Sequence, residues 1–176
     1  VIDMSQKMES LMKKISVAKV VLNMGVGKSG EPIEKAKRAL QQIAGQTPSP
    51  RNAKATQRDW GVHKGEPIGV AVTVRKQRAI ELIKKLIAAK GNQIKSSSFD
   101  DFGNVSFGIR EHIDIPGVKY DPNIGILGLN ISISLARPGF NIRFRSKHKA
   151  SVGHRHRITA QEAKEFLMRE FGVQVV

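Results

Sequence analysis

Residues 17–30 read VAKVVLNMGVGKSG, and the reading of this stretch decides the fold. Val17, Lys19, Val21 and Asn23 alternate with Ala18, Val20, Leu22 and Met24. Successive side chains of a strand fall on opposite faces, so one face is oily and the other is mixed and ends in an amide. The glycines that follow supply a turn where the backbone can take positive φ or let a partner come close. A helix pattern opens just after it. Gly25, Gly27 and Gly30 also spell G-x-G-x-x-G between a strand and a helix, the pattern of a dinucleotide-binding loop. Such a loop needs an acidic residue about 20 positions on to hold a ribose hydroxyl. No Asp or Glu lies between Glu34 and Asp59. Gly27, Lys28 and Ser29 imitate the end of a phosphate loop, but Leu22 stands where that motif has its first glycine. The plainer reading is a tight turn that leaves backbone N–H groups free. A nucleotide-binding enzyme built on Gly25 to Gly30 is the alternative from another class.

The same two periods organise the chain on either side. Met4, Met8, Leu11 and Met12 give residues 1–14 helical spacing, so a short helix or an ordered arm is expected there. Residues 31–45 read as a helix: Pro32 suits its first turn, Ile33, Ala36, Leu40, Ile43 and Ala44 form its apolar stripe, and Gly45 ends it. Residues 46–67 change character, with prolines early and then Arg51, Lys54, Arg58 and Lys64. A strand is expected near 51–57 and an exposed loop over 59–65. Burial trends place Trp60, the sole tryptophan, in the core. Flanked by Gly61, His63 and Lys64 on a loop, its ring could instead lie against a partner's sugar or base.

Residues 68–75 alternate cleanly, with Ile68, Val70, Val72 and Val74 opposite Gly69, Ala71, Thr73 and Arg75. Residues 77–90 form a second helix with Ile80, Ile83, Leu86 and Ile87 inward and Gly91 as its stop. Two further strands follow a loop at 95–104. In 105–113, Val105, Phe107 and Ile109 oppose Ser106, Gly108, Arg110 and His112. In 127–136, Leu127, Leu129, Ile131, Ile133 and Leu135 oppose Gly128, Asn130, Ser132 and Ser134. Thr159 and Glu162 make a capping box for a last helix, with Ala163, Phe166 and Leu167 inward and Gly172 as its end.

The expected fold class is therefore α+β, a single domain over residues 1–176. An antiparallel sheet carries helices packed on one face, and a basic insert precedes the C-terminal helix. That insert, residues 137–157, holds seven Lys or Arg and three His but no acid. It supplies +7 of a formal net charge of +15, in a chain of 176 residues with 30 Lys and Arg against 15 Asp and Glu. A clustered excess of this kind points to a polyanion, most often nucleic acid. With its like charges and few apolar anchors beyond Phe140, Ile142, Phe144 and Val152, the insert is expected to be mobile or weakly ordered alone and to order on contact with RNA. There are no cysteines, which removes disulfide and thiolate chemistry. No apolar run approaches membrane-spanning length, and the first residues lack a signal-peptide pattern, so a soluble cytoplasmic protein without a membrane partner is expected. Its start at Val1 suggests a trimmed or partial N-terminus.

The chemistry concentrates on the second face of the strands. Asn23, Thr73, Arg75 and Asn130 stand among Gly, Ala and Ser, and the face is nearly free of acids. Small residues admit a bulky partner, while amide, hydroxyl and guanidinium groups bond phosphates, sugars and base edges. Without Phe or Tyr this face does not stack bases as the common four-stranded RNA-binding sheet does. The candidate RNA contacts are Asn23, Gly25, Gly27, Gln46, Arg51, Lys54, Arg58, Thr73, Arg75 and Asn130, joined by Arg143, Arg145, Lys147, Lys149, Arg155 and Arg157 of the insert. His148, His154 and His156 are interleaved with cations and lack a Cys or carboxylate partner, so no metal site is expected. Asp100 and Asp101 have no His partner, and neither a catalytic group nor a cofactor is expected.

LNMGVG at 22–27, GQTP at 45–48, the basic run 51–58, KGEPIG at 64–69, VTVR at 72–75 and FDDFGNVSFGIREHI at 99–113 resemble, in order and spacing, the large-subunit ribosomal protein five family. RPGF at 137–140 through HRHRI at 154–158 looks like its archaeal and eukaryotic branch rather than the shorter bacterial form. The resemblance implies a non-enzymatic protein of the central protuberance that holds 5S rRNA against the large-subunit rRNA. It implies RNA contacts at Asn23, Gln46, Thr73 and Arg75. It also implies that a loop over 60–65, with Trp60, Gly61, His63 and Lys64, reaches P-site tRNA. The 99–113 region would face the small subunit, with small-subunit ribosomal protein thirteen as partner.

Overall fold

The computed structural model describes residues 11–118 and 120–176. Five strands make one antiparallel sheet: β1 (Ser16–Gly25), β2 (Ser49–Asn52), β3 (Pro67–Val74), β5 (Asn104–Ile109) and β6 (Leu129–Ala136), in the order β2-β3-β1-β6-β5. The helices α1 (Glu31–Ala44), α2 (Lys76–Ala89) and α3 (Ala160–Phe171) bury one face of that sheet. Two short strands, β4 (Gln93–Ile94) and β7 (Gln174–Val175), pair in parallel and tie the chain's end to the end of α2.

Alternation along the strands sets which side chains meet the helices. Val20, Leu22 and Met24 of β1 are buried with Val70, Val72 and Val74 of β3 and with Ile131, Ile133 and Leu135 of β6. From the helices come Ile33, Ala36 and Leu40, then Leu82, Ile83, Leu86 and Ile87, then Ala163, Phe166 and Leu167. Burying one such Leu or Ile is worth about 1.5–3 kcal/mol over leaving it in water. The helix ends follow from local chemistry. Pro32 sits in the first turn of α1, and Gly45 closes it at φ 63° with its N–H donating to Gln41 O at 2.9 Å. Thr159 and Glu162 make both bonds of the capping box on α3, and Gly172 ends it at φ 66°.

The structure departs from the sequence pattern in several places. A bulge between Val17 and Lys19 brings Val17 opposite Leu135 and against the core, and leaves Ala18 exposed. The expected 51–57 strand is β2 at 49–52, followed by an excursion closed by the Gln57–Val62 bridge. The expected 105–113 strand stops at Ile109, and His112 is buried, its Nδ1 accepting the Leu127 N–H at 3.3 Å. The expected N-terminal helix lies for residues 1–10 outside the described residues, and Leu11–Lys13 is one exposed 3-10 turn.

The base of the basic insert is closed by its own first residue. Arg137 is buried; its Nε donates to Lys13 O at 3.1 Å and its Nη1 to Arg157 O at 3.1 Å. Its Nη2 meets Glu162 Oε1 at 2.6 Å. One guanidinium thus joins the segment before β1, the far end of the insert and the first turn of α3. Partial burial raises the Glu162 carboxyl, but bonds from the Thr159 N–H and from Arg137, with the Arg137 charge, outweigh it and hold it below its ordinary value of 4.5. A depressed carboxyl contributes stability that is complete above the ordinary value and is lost as pH falls through the folded one. Arg137→Met is expected to cost about 2–3 kcal/mol, less than the about 3–5 of a fully buried pair, because Glu162 is 39% exposed. Urea titrations from pH 7 to pH 3 check both points: the substitution lowers the midpoint at neutral pH and flattens the loss on the acid side.

Candidate nucleic-acid interface

The sheet face away from the helices is built in rows by the strand register. Ser49, Ala71, Asn23, Asn130 and Gly108 follow one another across all five strands. Thr73, Val21, Ser132 and Ser106 form the next row, with Ser106 Oγ donating to Ser132 Oγ at 3.1 Å. Asn23 and Asn130 are register partners and both are exposed, so two primary amides stand side by side at the centre of the face. Their neighbours Ala71 and Gly108 are too small to overhang them. Asn130 Oδ1 lies 3.4 Å from where a Cβ at position 108 would stand, so the amide occupies the space that this glycine leaves. Neither row contains an acid. A third row adds Lys19 to Ser134 and Asn104.

Beyond this centre the candidate residues fall into three groups. Gln46, Thr73 and Arg75 line one open depression of about 430 Å³, and Lys76 and Arg78 join them from the start of α2. These two cations were not singled out from the sequence, where the expected helix began at residue 77 and only its apolar face was read.

The second group surrounds a groove of about 650 Å³ between the glycine turn and the 53–65 excursion. Gly25, Gly27, Lys54 and Trp60 line it, with Val62 and Ile68. Trp60 is 78% exposed, so the core placement favoured by burial trends is wrong and the loop placement is right. The turn does not leave its first N–H groups free: Val26 and Gly27 both donate to Ile68 O, at 3.0 and 2.9 Å. That bonding, together with antiparallel neighbours on both sides of β1, removes the geometry a dinucleotide loop needs. The excursion is held in shape by Glu66, which accepts from the His63 N–H at 3.0 Å and from the Ser29 hydroxyl. These two bonds hold its carboxyl below the ordinary value, the His63 bond contributing most. Arg58, Gly61, His63 and Lys64 are all exposed at or near the tip, while Arg51 is exposed on β2 opposite Gly69.

The third group is the insert. Ala150 N–H donates to Ile142 O at 3.3 Å and closes a loop whose rim carries Arg143, Arg145, Lys147 and Lys149. Arg145 Nε donates to His148 O at 2.8 Å. Arg155 is exposed, whereas Arg157 is half-buried, with its Nε on Val152 O at 3.2 Å. His156 is used internally, its Nε2 2.9 Å from Pro138 O and its ring edge-on to Phe140 at 5.7 Å. Arg137, counted with this charge in the sequence, is a cross-link and not part of the surface. Among the described residues, no helix is long and apolar enough to cross a membrane.

Comparison with known proteins accounts for nearly the whole chain. The family described as "Ribosomal protein L5" matches residues 10–63, and the model of the same family's C-terminus matches residues 67–174. The chain is 70% identical over 172 residues to the large ribosomal subunit protein uL5 of Nitrosopumilus maritimus, covering 98% of this chain and 99% of that protein. It is 64% identical to the uL5 of Cenarchaeum symbiosum, covering 94% and 98%. It is 48% identical to that of Pyrobaculum aerophilum, covering 93% and 92%. A match of this extent, across both halves of the chain, makes this a ribosomal protein of the large-subunit class. The chain belongs to the ribosomal protein L5 family, in its archaeal form.

Glu66→Ala removes the link between the glycine turn and the 53–65 excursion without touching the core. Backbone order parameters from NMR relaxation are expected to fall over residues 57–65, with the thermal midpoint nearly unchanged. A large fall in the midpoint would show that Glu66 supports the sheet itself.

Proposed function

We propose that this protein anchors 5S rRNA in the central protuberance, between the outer face of its sheet and the large-subunit rRNA, as a binding component rather than an enzyme. The observation that carries the reading is the Asn23–Asn130 amide pair at the centre of an acid-free face of small residues. Paired donors and acceptors at the middle of a flat shelf suit folded RNA, and the cations at its margins suit phosphates. Gln46, Thr73 and Arg75 extend the contact along one edge, with Lys76 and Arg78 beside them. The exposed Trp60 loop reaches P-site tRNA, laying its ring against a sugar or base with His63 and Lys64 at hand. The 99–113 segment meets the small subunit, against small-subunit ribosomal protein thirteen, through its Arg110 and Glu111 end. The insert supplies sequence-independent charge.

Positioning and specifying contacts separate in a binding series on isolated 5S rRNA and an unrelated RNA duplex. If about 6–10 phosphates are neutralised, affinity falls about 10³–10⁵-fold between about 50 and 200 mM salt. Asn23→Ala is expected to cost about 1–3 kcal/mol on 5S rRNA, to spare the duplex and to leave the salt slope unchanged. Replacing Lys147 and Lys149 with Ala weakens both RNAs and flattens the slope by about one unit per lost phosphate contact. Equal losses on both RNAs from Asn23→Ala would remove the sheet face from the specific contact. Trp60→Ala is expected to leave 5S rRNA affinity intact and to weaken tRNA binding to the assembled large subunit.

A further inference from the structure

A cavity of about 500 Å³ lies between the basic insert and the loop before β5. Its size falls within the about 300–1,000 Å³ typical of pockets that enclose small ligands. Phe102, Phe140 and Ile158 give it apolar walls, and Arg143, Lys149 and Arg157 place three cations around it. Among the described residues no acid lines it; Asp101, the neighbour of Phe102, is exposed and takes no part.

Folding does not account for Phe102. It is 55% exposed, yet the loop that presents it is fastened on both sides. Asp100 Oδ1 accepts the N–H groups of Phe102 and Asn104 at 2.8 Å each, and its Oδ2 accepts the Asn104 amide at 2.7 Å. Burial raises the Asp100 carboxyl, but these bonds outweigh it and hold it below its ordinary value, so its charge is committed to the loop. Gly103 follows at φ 73° and packs so closely on Ile158 that a Cβ there would lie 2.5 Å from Ile158 Cγ2. Arg157 is fixed through Val152 O, with its guanidinium 5.7 Å from the centre of the Phe102 ring. A flat apolar ring and a flat cation are therefore pre-set beside a cavity, which spares a ligand the cost of ordering them.

We propose that this cavity receives one unstacked base of a bound RNA, with the flanking phosphate on Arg143 and Lys149. The proposal rests on the RNA-binding reading above and deepens it, because the sheet face has no aromatic to stack a base. Bases extruded from loops and bulges are recognised by stacking on aromatic rings and Arg planes, with phosphates on nearby cations. The aromatic and the cations converge here, and the rim residues Arg145 and Lys147 continue the path for the backbone. Arg110 lies beyond the other end of β5, about 20 Å away along the strand, so a small-subunit contact there leaves Phe102 free.

The test uses the full chain with three probes: isolated 5S rRNA, a blunt RNA duplex and poly-glutamate. Phe102→Leu keeps the apolar bulk and removes the stacking ring; Phe102→Trp keeps a ring. Phe102→Leu is expected to weaken 5S rRNA about 10-fold, with duplex affinity and salt slope unchanged, and Phe102→Trp to stay near the parent. In 5S rRNA carrying 4-thiouridine, irradiation is expected to join single-stranded uridines to the peptide containing Phe102 or to the insert. Unchanged 5S rRNA affinity in Phe102→Leu overturns the pocket while steep salt dependence of the parent leaves the RNA-binding reading standing. An equal loss on the duplex, or displacement of 5S rRNA by poly-glutamate that is lost in Phe102→Leu, also overturns it, the latter by making the cavity a site for acidic protein. A parent that binds neither RNA overturns both readings.

Discussion

The outer face of the sheet is a residue of what the inner face requires. Every second position of β1, β3, β5 and β6 is committed to the helices, and the remaining positions have no core to serve. Shifting any strand by one residue would expose a row of Val, Leu and Ile and bury amides and hydroxyls without partners, each at about 1–3 kcal/mol. The register that places Asn23 beside Asn130 is therefore enforced from the other side of the sheet, by Val20, Leu22, Ile131 and Ile133. This polar face borrows its precision from packing it never touches. This also explains how the face can be small and polar: its residues carry little of the burden of stability.

Much of this was readable in the sequence, because period-two and period-3.6 patterns report directly on one-sided burial. The four long strands, the three helices, the glycine stops and the Thr159–Glu162 box all follow from local rules. So does the sidedness that brings Asn23, Thr73 and Asn130 to one face. What escaped the reading depends on partners distant in the chain. The bulge at Ala18 arises from pairing with β6, and nothing in VAKVV announces it. Residues 110–113 continue an alternating pattern, yet His112 turns inward because the Leu127 N–H offers it a bond. The β4–β7 pair is two residues long on each side and exists only because α3 returns the chain end to the end of α2. The glycine turn looked open, but its first N–H groups, those of Val26 and Gly27, are spent on Ile68 O from the neighbouring strand.

Trp60 and Arg137 make a complementary pair of misreadings. General burial trends put the first inside, and charge counting put the second outside; the structure reverses both. For Trp60 the local context of Gly, His and Lys was the better guide, since the short 53–65 excursion buries only the small Ala53 and Val62 and leaves the large ring outside. For Arg137 the missing signal was geometric. A guanidinium can satisfy several carbonyls and a carboxylate at once, which makes arginine suited to a buried junction. Its position at the boundary between a strand and an insert was the clue available, because a boundary is where several chain ends need closing.

That junction separates the insert's length from the rest of the molecule. Arg137 bonds the carbonyl of Arg157, so the two stems of the insert are held together whatever chain runs between them. Closing a longer loop on fixed stems costs only about 0.6 kcal/mol for each doubling of its length. Beyond Phe140, which packs against the core, the segment between the stems can therefore be lengthened, shortened or rewritten at little thermodynamic expense, like a cartridge seated in a standard socket. The sheet and helices would be spared the consequences, and the chain gains one place where its surface charge can change independently of its fold.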